Sequence, residues 1–128
     1  MTMSPFRDAD EPLEKGWMLE GEDDAGRQFR LGFGETELAR AYLGLAIGRH
    51  PALCERVLAQ QSISRRHFRL GLADGEPFVE DLNSLNGTIL DGVPLPPFRL
   101  TRLAPGNTLL CGQVRLTLRR LGEPALGG

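Results

Sequence analysis

The amino-acid sequence predicts an all-β protein, a β-sandwich of two mainly antiparallel sheets, and three observations carry this prediction. Residues 67–72 and 113–121 alternate apolar residues with polar or small ones, which is the period of strands with one buried and one wet face. Nearly all the apolar runs are short and are bounded by Gly, Pro, Asn or Asp, which favour turns. Long helical patterns do not alternate with these runs, so an antiparallel sandwich is favoured over a parallel sheet with crossover helices.

The elements can be placed along the chain in order. The runs WMLEGE and QFRLGF flank the turn residues DDAG and predict a first hairpin. The segment ETELARAYL, residues 35–43, fits either a helical turn, with Leu38, Tyr42 and Leu45 on one face, or an irregular or edge-strand segment. The remaining strands are predicted in the runs LAIGR, HFRLGL, PFVEDL, GTIL, VPL, FRLTRL, TLLCG and QVRLTLRRL.

One domain accounts for most of the chain. The length of the chain, 128 residues, suits a single domain with its own hydrophobic core. Residues 1–15 are polar and acidic and contain two prolines, so we expect a flexible acidic N-terminal tail. The domain is expected to occupy residues 16–121, and residues 122–128 are expected to form a C-terminal tail.

The charges are distributed unevenly. Residues 1–24 contain eight of the 17 acidic residues, whereas residues 25–128 contain 13 basic and nine acidic residues. Fourteen of the 15 basic residues are arginine, whose planar guanidinium matches the oxygen atoms of a phosphate. This surplus suits an anionic ligand but falls short of the basic surface of nucleic-acid-binding proteins, so no nucleic acid is expected as a partner.

Membrane, metal and redox functions are not indicated. No apolar run approaches the roughly 20 residues that a membrane span needs, and the first residues contain no hydrophobic signal region. Cys54 and Cys111 are far apart and neither belongs to a CxxC pair, so we expect small buried or half-buried thiols in a reducing compartment. A zinc site made from these two cysteines with His50 and His67 lacks the usual ligand spacing. The expectation is a cytoplasmic protein without metal, cofactor or membrane partner.

Three separated segments place hydrogen-bond donors in predicted loops. Arg49 follows an apolar strand, the sequence SRR of residues 64–66 precedes another strand, and residues 83–88 read NSLNGT. A tight loop of the last kind favours positive φ at Asn or Gly, which can turn backbone N–H groups outward. The combined inventory is guanidiniums, a hydroxyl, a carboxamide and N–H groups, without an acid or base for bond breaking. Such a set of donors predicts a site for a phosphate dianion.

Taken in order, these segments resemble the forkhead-associated (FHA) domain family. The motif series GR, SxxH and SxNGT is formed by residues 48–49, 64–67 and 84–88, and LAPGNTLLCG follows it. The resemblance covers residues 16–121, and the combination of motifs is highly specific. It implies an FHA-type (SMAD/FHA-like) β-sandwich of about eleven strands that binds phosphothreonine peptides through loops at one end. In size the chain is similar to a small, bacterial-type single-domain member.

The resemblance implies a role for each motif residue. Arg49 and the hydroxyl of Ser64 would bind the phosphate, and Arg65 would add a contact through its side chain or its N–H. Asn86 would hold the main chain of the peptide through its carboxamide, and Leu85 would contribute backbone and a wall. These five residues are the expected phosphopeptide-binding site.

Further motif residues are expected around that site. Ser62 lies where the family often reads the side chain three residues after the phosphothreonine, so it is a candidate for specificity. Arg66 is expected to lie in solvent. The residues expected to shape the framework are Gly48, His67, Asn83, Ser84, Gly87 and Thr88, and His67 among them would tie loops together.

The expected function is a non-catalytic module that binds phosphothreonine peptides and recruits phosphorylated partners in Ser/Thr-kinase signalling. The partner would be a kinase substrate, a kinase or a secretion-system component. We expect a monomer, with weak self-association left open. Thr2 and Thr36 are candidate kinase targets whose phosphates would engage the domain in cis or between copies.

Two other function classes stay open at this stage. One is an FHA-like scaffold that binds a protein partner through a sheet face, independently of phosphate. The other is a hydrolase that uses the same donors. A Ser64–His67 nucleophile pair would need an orienting acid and an oxyanion pocket, so the hydrolase is the less favoured of the two.

Overall fold

The computed structural model describes residues 15–122, which form a sandwich of two β-sheets and one short helix. The elements are β1 (Gly16–Asp23), β2 (Gln28–Gly34), α1 (Glu35–Arg40), β3 (Leu45–Gly48), β4 (Arg56–Val57), β5 (Phe68–Ala73), β6 (Glu76–Asp81), β7 (Thr88–Leu90), β8 (Val93–Pro94), β9 (Thr101–Arg102), β10 (Thr108–Cys111) and β11 (Val114–Leu121). Eleven strands in two sheets confirm the predicted fold class. The predicted tails lie outside the described residues, apart from Lys15 and Gly122. Within this described part, no helix is long and apolar enough to cross a membrane.

The two sheets are built almost entirely from antiparallel pairs. The six-stranded sheet has the order β2-β1-β11-β10-β7-β8, and the five-stranded sheet has the order β4-β3-β5-β6-β9. The exception is the parallel pairing of β3 with β4. Strand β4 was not predicted, because two residues are too short to show an alternating pattern.

The hairpin of β1 and β2 is confirmed, and the segment after it forms the helical alternative. Helix α1 buries Leu38 and ends at Arg40, since the next residue, Ala41, has an extended backbone. The expectation that Tyr42 shares a helix face with Leu38 is wrong, because Tyr42 lies beyond the helix, and its side chain is 95% exposed. Gly44, at a φ of +88°, then turns the chain into β3.

Alternating side chains of both sheets meet in one core. Phe68 and Leu70 of β5 and Leu116 and Leu118 of β11 are fully buried, as the alternation predicted. Burying each of these side chains contributes about 1.5–3 kcal/mol. The core is completed by the buried residues Trp17, Leu19, Phe29, Leu31, Phe33, Leu38, Leu45, Ile47, Leu58, Ile63, Val79, Leu103, Leu109, Cys111 and Val114.

Gly48 at the end of β3 allows two loops to lie directly against each other. A Cβ atom at this position would lie 2.2 Å from the carbonyl oxygen of Arg65 and 2.9 Å from the Cα atom of Arg66. Beside this contact, the N–H of Arg49 donates to the carbonyl oxygen of Ser64 at 2.9 Å. The loop after β3 and the loop before β5 are therefore joined through their backbones, at a distance that leaves no room for a side chain.

We predict that Gly48→Ala lowers the free energy of unfolding by about 1–3 kcal/mol, because the added methyl group must displace backbone. Urea unfolding measures the loss. Gly75→Ala in the turn between β5 and β6 is the control, since no atom lies within 4 Å of a Cβ there. Its cost should be limited to about 1–2 kcal/mol from its positive φ. A Gly48→Ala variant as stable as the wild type would contradict the steric explanation.

Candidate functional site

The loops that carry the motif residues converge at one end of the sandwich. Strand β3 ends, β5 begins and β6 ends at the same edge, since Ile47 pairs with Phe68 and Phe68 pairs with Asp81. An open cleft of about 250 Å³ lies between these loops. All five residues expected to form the site line it, and the full lining is Arg49, Gln61, Ser62, Ile63, Ser64, Arg65, Leu85 and Asn86.

The guanidinium of Arg49 is held from one side only. Its Nε–H donates to the carbonyl oxygen of Ile63 at 3.1 Å. Its two terminal nitrogens have no hydrogen-bond acceptor within residues 15–122. The side chain is exposed, so its free edge is available to a ligand in a defined orientation.

The hydroxyl of Ser64 is oriented by the loop between β6 and β7. Its Oγ atom accepts a hydrogen bond from the N–H of Leu85 at 2.9 Å. Since one lone pair is occupied in this way, the hydroxyl hydrogen is left to point elsewhere, and within the described part of the chain it has no acceptor. The structure thus holds this hydroxyl as a donor at the cleft.

His67 connects the two loops from inside the protein. Its Nδ1 atom accepts from the N–H of Ser64 at 3.1 Å, and its Nε2–H donates to the carbonyl oxygen of Gly87 at 2.8 Å. Burial lowers the pKa of this fully buried imidazole, so the ring is neutral at pH 7. The imidazole bonds the main chain of Ser64 and not its hydroxyl, an arrangement that braces loops and does not activate a nucleophile.

A buried carboxylate that the sequence analysis missed shapes the loop between β6 and β7. Asp81 accepts from the hydroxyl of Ser84 at 2.5 Å, from the N–H of Ser84 at 3.2 Å and from the hydroxyl of Thr88 at 2.7 Å. The spacing of Asp81 and Ser84, three residues apart at the start of a loop, is the signal that could have revealed it. Through these bonds Asp81 fixes both ends of the loop.

The turn residues of this loop divide their roles. Positive φ occurs at Asn83 (62°) and Gly87 (80°) and not at Asn86. Asn86 instead directs its carboxamide across the cleft, where Nδ2–H donates to the carbonyl oxygen of Ser62 at 2.8 Å. The oxygen of the carboxamide has no donor among residues 15–122, and Asn86 lines the cleft.

The cleft carries an excess of positive charge. Arg49, Arg65 and Arg66 are exposed, and none of them forms an ion pair with a carboxylate in the described part of the chain. Arg66 does not line the cleft, in agreement with its expected position in solvent. The site therefore presents unneutralised guanidiniums next to oriented neutral donors.

Ser62 lies between this cleft and a second one. The second cleft measures about 450 Å³ and is lined by Gln61, Ser62, Asn86, Gly112 and Gln113. The hydroxyl of Ser62 donates to the side-chain oxygen of Gln60 and accepts from the N–H of Gln113 at 2.8 Å. The side chain expected to determine specificity is thus already engaged within the chain.

The cysteines are free thiols, one half-buried and one buried, as expected. The Sγ–H of Cys54 donates to the carbonyl oxygen of Arg65 at 3.0 Å, and burial raises the pKa of this thiol. Burial also raises the pKa of the Cys111 thiol in the core. Both therefore stay protonated at neutral pH, so neither is an activated nucleophile.

A family model and solved structures match this chain. The model of the FHA domain matches residues 45–112, more than half of the chain, so the chain belongs to the FHA domain family. A comparison with curated proteins gave no significant match. Many solved structures do match, and three of them illustrate the range of sequence identity and structural similarity.

One is an FHA domain from a structural and functional analysis of phosphothreonine-dependent interactions, 26% identical, with a TM-score of 0.59 over 81% of this chain and 95% of that one. The second is the FhaA FHA domain in complex with the intracellular domain of Rv3910, also 26% identical, with a TM-score of 0.58 over 80% of this chain and 99% of that one. The third is an FHA domain from Arabidopsis thaliana, 20% identical, with a TM-score of 0.67 over 88% of this chain and 91% of that one. The third supports the fold alone.

We predict that acidification destabilises the protein through His67. Because the pKa of the folded imidazole lies below its ordinary value, the unfolded chain binds this proton more readily. The free energy of unfolding is therefore undiminished above a pH of about 6.5 and falls as the pH drops below it. Urea unfolding at several pH values between about 7.5 and 5 measures the slope. In His67→Gln, which cannot titrate there, the slope should be shallower, and an unchanged slope would assign the effect to other groups.

Proposed function

We propose that the chain is a non-catalytic module that binds phosphothreonine peptides and recruits phosphorylated partner proteins in Ser/Thr-kinase signalling. The observation that carries the proposal is the cleft at which Arg49, Ser64 and Arg65 meet. The terminal nitrogens of Arg49, the hydroxyl hydrogen of Ser64 and the guanidinium of Arg65 have no acceptor within residues 15–122, and no carboxylate neutralises the two arginines there. An anion with several acceptor oxygens is the ligand that satisfies such a set.

A phosphate group matches the donors in number and charge. It carries about 1.5 to 2 negative charges at pH 7 and three acceptor oxygens. The two terminal nitrogens of Arg49 can bond two of these oxygens, and the hydroxyl of Ser64 can donate to another. Arg65 adds its exposed side chain and a backbone N–H that has no acceptor in the described residues. The side chains of Arg49 and Ser64 are held before the ligand arrives, which reduces the entropy lost on binding.

The groups next to the phosphate cleft suit a peptide better than a free ion. The carboxamide oxygen of Asn86 can accept from a peptide N–H, since its Nδ2 is already bonded to Ser62. Leu85 is 90% exposed at the edge of the cleft and offers apolar contact to a side chain. A ligand methyl group buried there contributes about 1 kcal/mol, which favours phosphothreonine over phosphoserine only modestly.

Two of the similar structures support the same reading. One belongs to a study of phosphothreonine-dependent FHA domain interactions, and the other contains the intracellular domain of a second protein as partner.

The proposal includes a cytoplasmic, bacterial protein that acts as a monomer, with a kinase substrate, a kinase or a secretion-system component as its partner. Thr36 is exposed on α1 and is a candidate for phosphorylation, whereas Thr2 lies outside the described residues.

We predict that the protein binds a phosphothreonine peptide and not its unmodified counterpart. A fluorescence titration with both members of a peptide pair, drawn from an oriented library, measures the difference. Because the ligand carries close to two negative charges, affinity should decrease as the salt concentration rises. Equal affinity for both members would favour a scaffold that binds through a sheet face. Hydrolysis of p-nitrophenyl phosphate that Ser64→Ala abolishes would favour the hydrolase.

We predict that Arg49→Ala weakens phosphopeptide binding by about a hundredfold or more, since two charge-assisted hydrogen bonds are lost. The thermal midpoint should change little, because the exposed side chain makes one internal hydrogen bond, worth about 1 kcal/mol. Arg66→Ala is the matched control, since it removes an equal charge from the same end without removing a group of the cleft. Equal losses in both variants would indicate general electrostatic attraction in place of a specific contact.

A further inference from the structure

Three side chains form a closed hydrogen-bond network beside the phosphate cleft. The N–H of Ser62 donates to Oε1 of Gln60 at 2.6 Å, and the hydroxyl of Ser62 donates to the same oxygen. The N–H of Gln113 donates to Oγ of Ser62 at 2.8 Å, and Nε2 of Gln60 donates to Oε1 of Gln113 at 3.2 Å. The network fastens the loop between β4 and β5 to the turn between β10 and β11.

Gly112 brings this turn into direct contact with Ser62. A Cβ atom on Gly112 would lie 2.4 Å from Oγ, 2.5 Å from the carbonyl oxygen and 2.7 Å from Cβ of Ser62. All three distances are far inside van der Waals contact, so only glycine fits while Ser62 keeps its position. The turn therefore packs directly against Ser62 and limits how far this residue can move toward it.

Ser62 is hydrogen-bonded to Asn86 across the cleft. The carbonyl oxygen of Ser62 accepts from Nδ2 of Asn86 at 2.8 Å. The neighbouring carbonyl oxygen, that of Ile63, accepts from the guanidinium of Arg49 at 3.1 Å. Consecutive carbonyl groups thus orient the group that would hold the peptide main chain and the group that would hold the phosphate. The turn of Gly112 and Gln113 contacts Ser62 directly. It is connected to the carbonyl group of Ile63 only through Ser62.

We propose that Gly112 and Gln113, together with Gln60, are positioning residues of the site and act through Ser62 on Asn86. The inference rests on the proposed function, because it concerns how Asn86 is presented to a phosphothreonine peptide. It gives Ser62 a part other than reading a ligand side chain, since its hydroxyl is engaged on both sides within the chain. The turn between β10 and β11 becomes a fourth element of the site, after the three loops that carry the motifs.

The test is a double-mutant cycle measured with the phosphothreonine peptide that the wild type binds best. Ser62→Ala keeps the carbonyl oxygen to which Asn86 bonds but removes the hydroxyl that bonds to Gln60 and Gln113. Affinity should therefore fall about tenfold, because Asn86 is no longer held in one orientation. In the Asn86→Ala background, Ser62→Ala should have almost no further effect, because the group it positions is gone. In the Arg49→Ala background, the loss from Ser62→Ala should persist in full. Losses from Ser62→Ala and Asn86→Ala that simply multiply would overturn the proposal.

Glycine substitutions provide a second, independent measurement. Gly112→Ala should reduce affinity at least as much as Ser62→Ala, because the added methyl group displaces Ser62. Gly92→Ala is the matched control, since Gly92 also has positive φ in a turn of the same sheet but has no atom within 4 Å of a Cβ. Equal loss of affinity in the two variants would contradict positioning by this turn.

The side-chain amide signals of Asn86 in NMR spectra test the link without any ligand. Ser62→Ala should shift them, and the wild-type positions should be kept in Gly92→Ala. Unchanged Asn86 signals in Ser62→Ala would overturn the proposal even if the variant did bind peptide weakly.

A wild-type chain that binds no phosphothreonine peptide would overturn the proposed function, and the inference with it. A wild type that binds, combined with multiplicative losses, would overturn the inference alone.

Discussion

The buried imidazole of His67 is the contact on which the arrangement of the ligand end depends. Its two nitrogens join the N–H of Ser64 to the carbonyl group of Gly87, and so connect loops from different parts of the sheet. Because Nδ1 must accept, the ring has to stay neutral, and burial favours that state. Without this side chain, two backbone groups of the loops would lose their partner, at a cost of roughly 1–3 kcal/mol for each group that is buried.

The direction of the backbone explains why the site consists mostly of donors. Residues 62–64 turn their carbonyl groups toward the protein, where Asn86 and Arg49 bond to them. These carbonyl oxygens would repel a phosphate, but each of them already accepts a hydrogen bond from another group of the chain. What remains for a ligand is the free edge of a guanidinium, a hydroxyl hydrogen and N–H groups, together with one acceptor, the carboxamide oxygen of Asn86. The carboxylate of Asp81 lies near but is buried, and its oxygens are occupied by Ser84 and Thr88.

Much of the fold could be predicted because alternation along a strand reports directly which face is buried. Strands β5 and β11 show it most clearly, through Phe68, Leu70, Leu116 and Leu118. The prediction was wrong in the segment after β2, where the sequence does not alternate as a strand does. Helical spacing placed Tyr42 on one face with Leu38, but the helix ends before Tyr42 and its side chain is exposed to solvent. Strand β4 pairs through only two residues, and its existence depends on β3 lying beside it.

The sequence by itself determined the residue types of the site and their order, because arginine, hydroxyl and amide side chains stand in three predicted loops and are the donors that a phosphate needs. Only the tertiary structure decided which groups stay free. The Nε of Arg49, the Oγ of Ser64 and the Nδ2 of Asn86 are each occupied by a partner in a different loop, and sequence spacing does not report such contacts. Hydrogen bonds between distant segments depend on how the sheets stack, so the roles of Gly112 and Gln113 became visible only in the folded chain.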